Sequence, residues 1–469
     1  MSDNRELART LDLSLRVGEV LLSSGAGAAD VTATMRVIAH AYGIRNPTVD
    51  VTFTQLAMSA QTTPDEPPLL QMRSVTQREI DYEDLTSVDH LVRDIAAGRV
   101  DVADARAQVA RIVSSGHARK RWAATAGWGV MCAGIAVQLG GTWEGVLVAF
   151  VSAVAIDRLQ LFMGRFRLPF FYRQIAGGAV ATLLAAVATR LAAHWVHMDA
   201  SAVVSANIMM LLSGIGFMGA IQDALTGFYV TGGARVLEAV LATAGVIAGV
   251  TGGLSLSSTI GLDLPPLVPA RTDLVGIGVA ALGAGFGAAA FGFASYAPKR
   301  TLLPIGLLGA AALGVSSAIA LRDFAGAWAT AVAAFGVGLV SFTIAGRLRV
   351  PPLVVVVPAV VPMLPGLSIY KGLSLLSAAS HPRVGQGLLA MVTAASIAIA
   401  LAAGVILGEY VAQPVQREAR RVPHRLAGPR LVGVTRIRRR TRSGLPRPRR
   451  GGPPGAPGGP AEQTPDPTP

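Results

Sequence analysis

The sequence predicts an α-helical polytopic membrane protein, about ten transmembrane helices in two five-helix halves, preceded by a small N-terminal α+β soluble domain. Three observations carry this. Hydrophobic residues make up 52% of the 469 and charged ones only 15%, with a mean hydropathy of +0.50; soluble domains usually hold about 25% charged residues. From about residue 122 to 410, apolar segments of membrane-spanning length follow one another. Before them, residues 1–118 mix polar and apolar positions as a soluble domain does.

Within residues 1–118, Leu7, Leu11, Leu15 and Leu22 fall at approximately helical spacing, and the run breaks at SSGAG. Asp30 is placed to cap a second helix with Val31, Met35, Ile38 and Tyr42 on one face and Gly43 at its end. Val49, Val51 and Phe53 alternate with polar residues, which predicts a half-buried strand, with LLQMRSV (69–75) as its partner after a PDEPP turn. Two amphipathic helices follow, at 84–98 and 101–116. His117, Arg119, Lys120 and Arg121 then stand between this domain and the first span, which places the domain in the cytoplasm.

Ten spans are expected, centred near residues 131, 150, 184, 211, 245, 285, 312, 336, 360 and 396, the second being the shortest. Loops on the domain's side then hold Arg158, Arg165, Arg167, Arg173, Arg235, Lys299, Arg300, Arg347 and Arg349. The opposite side holds Arg190, Arg271, Arg322, Lys371 and Arg383. That excess agrees with the positive-inside rule and puts both termini in the cytoplasm. The loop LDLPPLVPARTD (262–273) separates the halves, 122–258 and 272–410. With five helices each, equivalent halves have opposite orientations, an arrangement common among secondary transporters.

Of the net charge of +13, the Arg-, Pro- and Gly-rich tail at 415–469 contributes most, with 13 arginines and three acids from Arg417 onward. It lacks any aromatic platform for nucleic acid and cannot bury enough apolar surface to fold; an anionic cytoplasmic leaflet suits it better. Cys132, the single cysteine, lies in an apolar span and excludes disulfides and cysteine-based metal sites. The polar start MSDNRELART has no apolar signal-peptide core.

The segment LLSGIGFMGAIQDALTGFYVTGGARVLEA (211–239) interrupts a span with glycines and then adds charge. Its counterpart in the second half, VPMLPGLSIYKGL (361–373), aligns LLSGI with MLPGL. Candidate pathway residues follow from these two stretches. Asp223 could bind a substrate ammonium or a coupled proton, or cap a short helix from Ala224. Arg235 and Glu238 stand at i,i+3 and can pair on one face. Asn207 could hydrogen-bond a substrate or glue helices together. Gly214, Pro365 and Gly366 break helices and release carbonyls that need partners. Tyr370 and Lys371 lie beyond the second break as an interface anchor or gate.

Several segments, taken in order, resemble the threonine/serine exporter family: LRVGEVLLSSGAGAADVTATMRVIAHAYGI (15–44), LTSVDHLVRDIAAGRVDVADARAQVARI (85–112), IQDALTGFYVTGGARVLEA (221–239) and VPMLPGLSIYKGLSLL (361–376). The resemblance runs over about residues 8–410. It implies a secondary transporter of the bacterial inner membrane that exports threonine and serine, with protons as the coupling ion. It implies no cofactor, no catalytic residue and no nucleic-acid partner, and leaves a homo-oligomer open. Where the family's first-half segment often has Pro-Gly, this chain has Ser213-Gly214.

Two rivals remain at this level: a membrane-anchored hydrolase, and an uncoupled channel or scaffold. Ser23, Ser24, His40, Asp50 and His90 offer hydrolytic chemistry but form no nucleophile motif. The glycine-rich run 276–292 lacks the strand a nucleotide loop needs and reads as close helix packing. His194 and His197 have no third ligand, so no metal site is expected.

Overall fold

The computed structural model describes residues 2–61, 66–75, 80–192, 198–212, 214–262, 274–321, 326–377 and 381–419. These lie in one compact unit, Met1–Leu431; a second, Val432–Pro469, falls outside them. The tail beyond 419, the PDEPP turn in part, the Pro-rich loop at 263–273, Ser213, His194 and His197 are likewise outside the described residues.

The N-terminal part comprises α1 (Ser2–Ser23), α2 (Ala28–Ala41), a three-stranded antiparallel sheet, α3 (Tyr82–Ala96) and α4 (Val102–Ser114). All four leucines of the first heptad-like pattern are buried. Gly43 ends α2 with φ +86°. The sheet corrects the sequence reading. β1 (Thr48–Val51) pairs with β2 (Gln55–Ala60), and β2, not β1, pairs with β3 (Leu69–Ser74). The middle strand QLAMSA was missed because glutamine, alanine and serine give little strand propensity; Leu56, Met58 and Ala60 nevertheless bury one face. Asp81 and Asp101 cap α3 and α4 with side-chain acceptors. Asp30 does not cap α2: the cap position is Gly27, and Asp30 sits in the first turn.

The membrane part follows as α5 (Arg121–Gln138), α6 (Trp143–Arg165), α7 (Phe170–Ala192), α8 (Ala200–Leu211), α9 (Gly214–Leu225), α10 (Tyr229–Thr259), α11 (Leu274–Ala294), α12 (Lys299–Ala320), α13 (Gly326–Leu348), α14 (Leu353–Val360), α15 (Gly366–Ser377) and α16 (His381–Ala419). Among the described residues eight runs are long and apolar enough to cross a membrane, with α14 and α15 counted as one run. The 23-residue α6 is among them and is not the shortest, contrary to expectation. Side chains such as Leu303, Leu307, Phe286 and Leu389 stand more than half exposed on these helices; lipid is the solvent that suits such a surface.

Two breaks interrupt this bundle, and they share a backbone form. Leu212 ends α8 in extended conformation (ψ 131°) and Gly214 opens α9; Leu364 is extended (ψ 142°) after a 3-10 turn, Val361–Met363, and Gly366 opens α15. Pro358, Pro362 and Pro365 remove donors and drive the second break.

Glycine sets the close contacts. A Cβ on Gly249 of α10 would strike the Ile175 carbonyl of α7, and one on Gly408 of α16 the Phe335 carbonyl of α13. The run 276–292 is helix α11, in which a Cβ on Gly283 would lie 2.6 Å from the Gly134 carbonyl of α5, so it does serve close packing.

Three interhelical turns repeat one device. Arg167, Tyr296 and Arg349 each adopt positive φ (54°, 63° and 53°). Each is followed by an aliphatic residue and then a proline, as Arg167-Leu168-Pro169, Tyr296-Ala297-Pro298 and Arg349-Val350-Pro351. The left-handed residue closes the outgoing helix and the proline starts the next with φ already set. The N-terminal part sits on two of these turns. Tyr82 N–H donates to Ser295 O (3.0 Å), Arg119 Nη2 to Ala297 O (2.7 Å), and a His90 ring nitrogen lies 2.8 Å from Arg349 O. His117 stacks on Tyr296 with centroids 3.8 Å apart.

Candidate functional site

At the SSGAG break the N-terminal part meets the helical bundle. Gly25 (φ +93°) turns the chain after α1, and Gly27 leaves the start of α2 open to a neighbour. That neighbour is α9. Asp223 Oδ1 accepts from Ala28 N–H at 2.7 Å, so a carboxylate from the bundle supplies the cap that Gly27 cannot. Arg235 of α10 pairs with Asp223 Oδ2 at 3.0 Å through Nη1 and donates to Ala26 O at 2.9 Å through Nη2. Both side chains are buried, Asp223 completely and Arg235 to 8% exposure.

This differs from the sequence expectation in two ways. Asp223 lies in the last turn of α9 and caps α2, not a helix beginning at Ala224. Arg235 reaches Asp223 and the Ala26 carbonyl, partners that lie outside the i,i+3 spacing. Neither partner could be read from spacing, because Asp223 and Ala28 are 195 positions apart.

Beside the clasp lies a cavity of about 870 Å³, within the usual range for small-molecule sites. Met209, Met210, Leu212 and Gly216 reach it from the first break, and Val361 and Leu364 from the second. Trp128 and Phe291 contribute aromatic wall, meeting edge to face at 5.3 Å. Its charged lining is Arg173, Arg235 and Glu238. The N-terminal part closes one side with Ser23, Gly25, Phe53 and Gln55 among others.

The other candidates fall around this cavity without lining it. Asn207 is fully buried and donates to Val203 O of its own helix at 2.8 Å. Gly366 packs where a Cβ would come within 2.9 Å of Ser205 O, so the second break abuts α8. Gly214 and Pro365 flank the two extended leucines. Tyr370 is buried, while Lys371 is exposed. Sequence reasoning missed Gln138, whose Nε2 donates to the Pro362 carbonyl at 2.6 Å and satisfies a group released by the break. It also counted Arg173 only as a topology charge. No local motif marks either residue.

The proposed hydrolytic residues are dispersed. Ser23 Oγ donates to Val20 O, His40 Nδ1 meets Ile44 O, His90 meets Arg349 O, and Asp50 is exposed on β1. Donor atoms of Asp81, Asp84 and His117 lie within 4.8 Å of one another. Asp81 already caps α3 there, and His117 Nδ1 lies 3.2 Å from its Oδ2.

Fold and cavity together define a multi-pass helical membrane protein whose two broken helices and N-terminal part border a small-molecule-sized space. Residues 12–257 match the family model described as "Putative threonine/serine exporter" and residues 280–411 the model described as "Threonine/Serine exporter, ThrE". The chain is 36% identical over 435 residues to a "Probable threonine/serine exporter" of Mycobacterium tuberculosis, covering 91% of this chain and 81% of that one. It is 32% identical over 429 residues to a "Threonine/serine exporter" of Corynebacterium glutamicum, covering 91% and 87%. The chain belongs to the threonine/serine exporter family, as the sequence resemblance indicated, and is a bacterial multi-pass membrane protein. No solved structure matches it.

Proposed function

We propose that this protein exports threonine and serine from the bacterial cytoplasm as a proton-coupled secondary transporter, with the amino acid bound in the cavity between the two helix breaks. The observation that carries this reading is the cavity's lining. Both breaks border it, and it presents Arg173 for a carboxylate and Glu238 for an ammonium group among mixed apolar and neutral polar side chains. A zwitterion needs that pair of opposite charges once it leaves water.

Alternating access would come from ten spans in two inverted halves. Packing supports this. α7 lies against α10 as α13 lies against α16, α5 against α6 as α11 against α12, and α9 against α10 as α15 against α16. The halves meet chiefly through their first helices, α5 and α11. Residues 1–118 would then be a cytoplasmic gating module, with the Asp223–Arg235 clasp holding it over the inner end of the pathway. Arginine-bearing turns on the same end, at Arg167 and Arg349, suit a cytoplasmic face.

The test loads cells that lack the gene with threonine- and serine-containing dipeptides and follows amino-acid efflux with and without the protein. Faster efflux of those two amino acids, slowed by an uncoupler, supports the reading. Equal efflux from both strains refutes it.

A further inference from the structure

A second cavity, of about 660 Å³, lies in the N-terminal part where α1, β3 and α4 meet. Its charged lining among the described residues is Arg9, Arg16, Arg73, Arg106 and Asp12. Helical spacing puts Arg9, Asp12 and Arg16 on one face of α1, at i, i+3 and i+7. Arg73 comes from β3 and Arg106 from α4, and Gln71 Nε2 donates to Ala8 O at 3.2 Å, which ties β3 to α1 at this place. Asp12 is surrounded. Arg16 Nε lies 3.1 Å and Arg106 Nη2 2.7 Å from one of its oxygens, and Arg73 Nη1 lies 3.5 Å from the other. Arg73 also pairs with Glu19. Arg9 is exposed and makes no hydrogen bond or ion pair among the described residues.

Four guanidinium groups thus face two carboxylates around one concave space, an excess of two positive charges. A lock between three elements needs no such surplus, and a cleft lined by one sign of charge concentrates counter-ions of the other. Guanidinium forks match phosphate oxygens bidentately, and a terminal phosphoryl group carries nearly two negative charges at pH 7, which meets the excess. The volume is that of a small-molecule site, and Met72, 54% exposed, offers an apolar wall beside the charge. We propose that this pocket binds a small soluble phosphorylated compound. Arg9 and Arg16 grip its phosphoryl group, and Asp12 holds Arg16, Arg73 and Arg106 in place around it. The singly charged phosphodiester of a lipid headgroup would leave half the excess unmet, so the ligand comes from solution. The site is built from the N-terminal part alone and does not depend on the transporter reading above.

Calorimetric titration of the purified full-length protein with pyrophosphate, at fixed ionic strength and neutral pH, reads this directly. Wild type shows one saturable site. Arg9→Gln, which breaks no contact of the fold, and Arg16→Gln each weaken binding by about tenfold. Arg45→Gln removes the same charge from an exposed position outside this pocket and keeps the affinity within about twofold. Absence of a saturable site in wild type overturns the proposal. So does wild-type affinity in both Arg9→Gln and Arg16→Gln, which leaves the arginines as an ion-pair lock only, or an equal loss in Arg45→Gln, which reports diffuse charge rather than a site. Displacement of pyrophosphate by short-chain phosphatidylglycerol at equal concentration also overturns it and assigns the pocket to the membrane surface.

Discussion

Asp223 and Arg235 meet at 3.0 Å across the α9–α10 turn, and each also grips the loop that opens α2, through Ala28 N–H and Ala26 O. These contacts form one buried knot that joins the N-terminal part to the bundle. Removing one partner leaves a buried charge unpaired, which costs about 3–5 kcal/mol. Asp223→Ala and Arg235→Ala are each expected to lower the unfolding temperature in detergent sharply. The double variant should lose clearly less than the sum of the two. Additive losses would mean that the pair does not act as a unit.

The glycine contacts give a paired prediction. Gly249→Ala and Gly408→Ala each push a methyl into a facing helix's carbonyl and should destabilise by on the order of 1–3 kcal/mol. Gly252→Ala in α10 and Gly336→Ala in α13 meet open space and should be neutral or gain up to about 1 kcal/mol from helix propensity. Thermal unfolding of the four variants tests this, and equal effects in all four would contradict the packing described.

Gln138 is expected to matter more than its position suggests. Gln138→Leu keeps the volume but leaves the Pro362 carbonyl without its 2.6 Å donor, a loss of about 1–3 kcal/mol. Gln138→Glu keeps the length but replaces the donor with an acceptor and should be no better. Wild-type stability in both variants would show that the break finds another partner for that carbonyl.

Burial first, then repulsion from Asp81 and Glu83, hold the Asp84 carboxyl up to about 6, with His117 pulling the other way. Its pKa is higher folded than unfolded, so its contribution to stability is complete below the unfolded value of about 3.8 and is lost as pH rises through about 6. Unfolding temperature should therefore fall between pH 5 and pH 7 more in wild type than in Asp84→Asn at fixed ionic strength. Parallel profiles would remove Asp84 as the cause.

How far the sequence could be read follows from the range of the forces involved. Helix existence was legible, because apolar length and local breakers decide it; the aligned Leu212-Ser213-Gly214 and Leu364-Pro365-Gly366 show the same extended leucine before a helix-opening glycine. The strand Gln55–Ala60 was not, since its pattern is weak until neighbours on both sides complete it. At the site, Arg235 and Glu238 were singled out and do border the cavity. The partners of Asp223 were beyond reach, because α2 and α9 meet only through folding.

The central claim, that the cavity between the breaks carries the amino acid, is tested most directly with purified protein in vesicles. Labelled threonine is exchanged across the membrane by wild type and by Glu238→Gln and Arg173→Gln, two cavity-lining variants that leave the Asp223–Arg235 clasp intact. The account predicts saturable exchange by wild type, inhibited by unlabelled serine, with the threonine concentration for half-maximal exchange raised at least tenfold in each variant. Unchanged half-saturation in both folded variants, or no exchange by folded wild type, would contradict it.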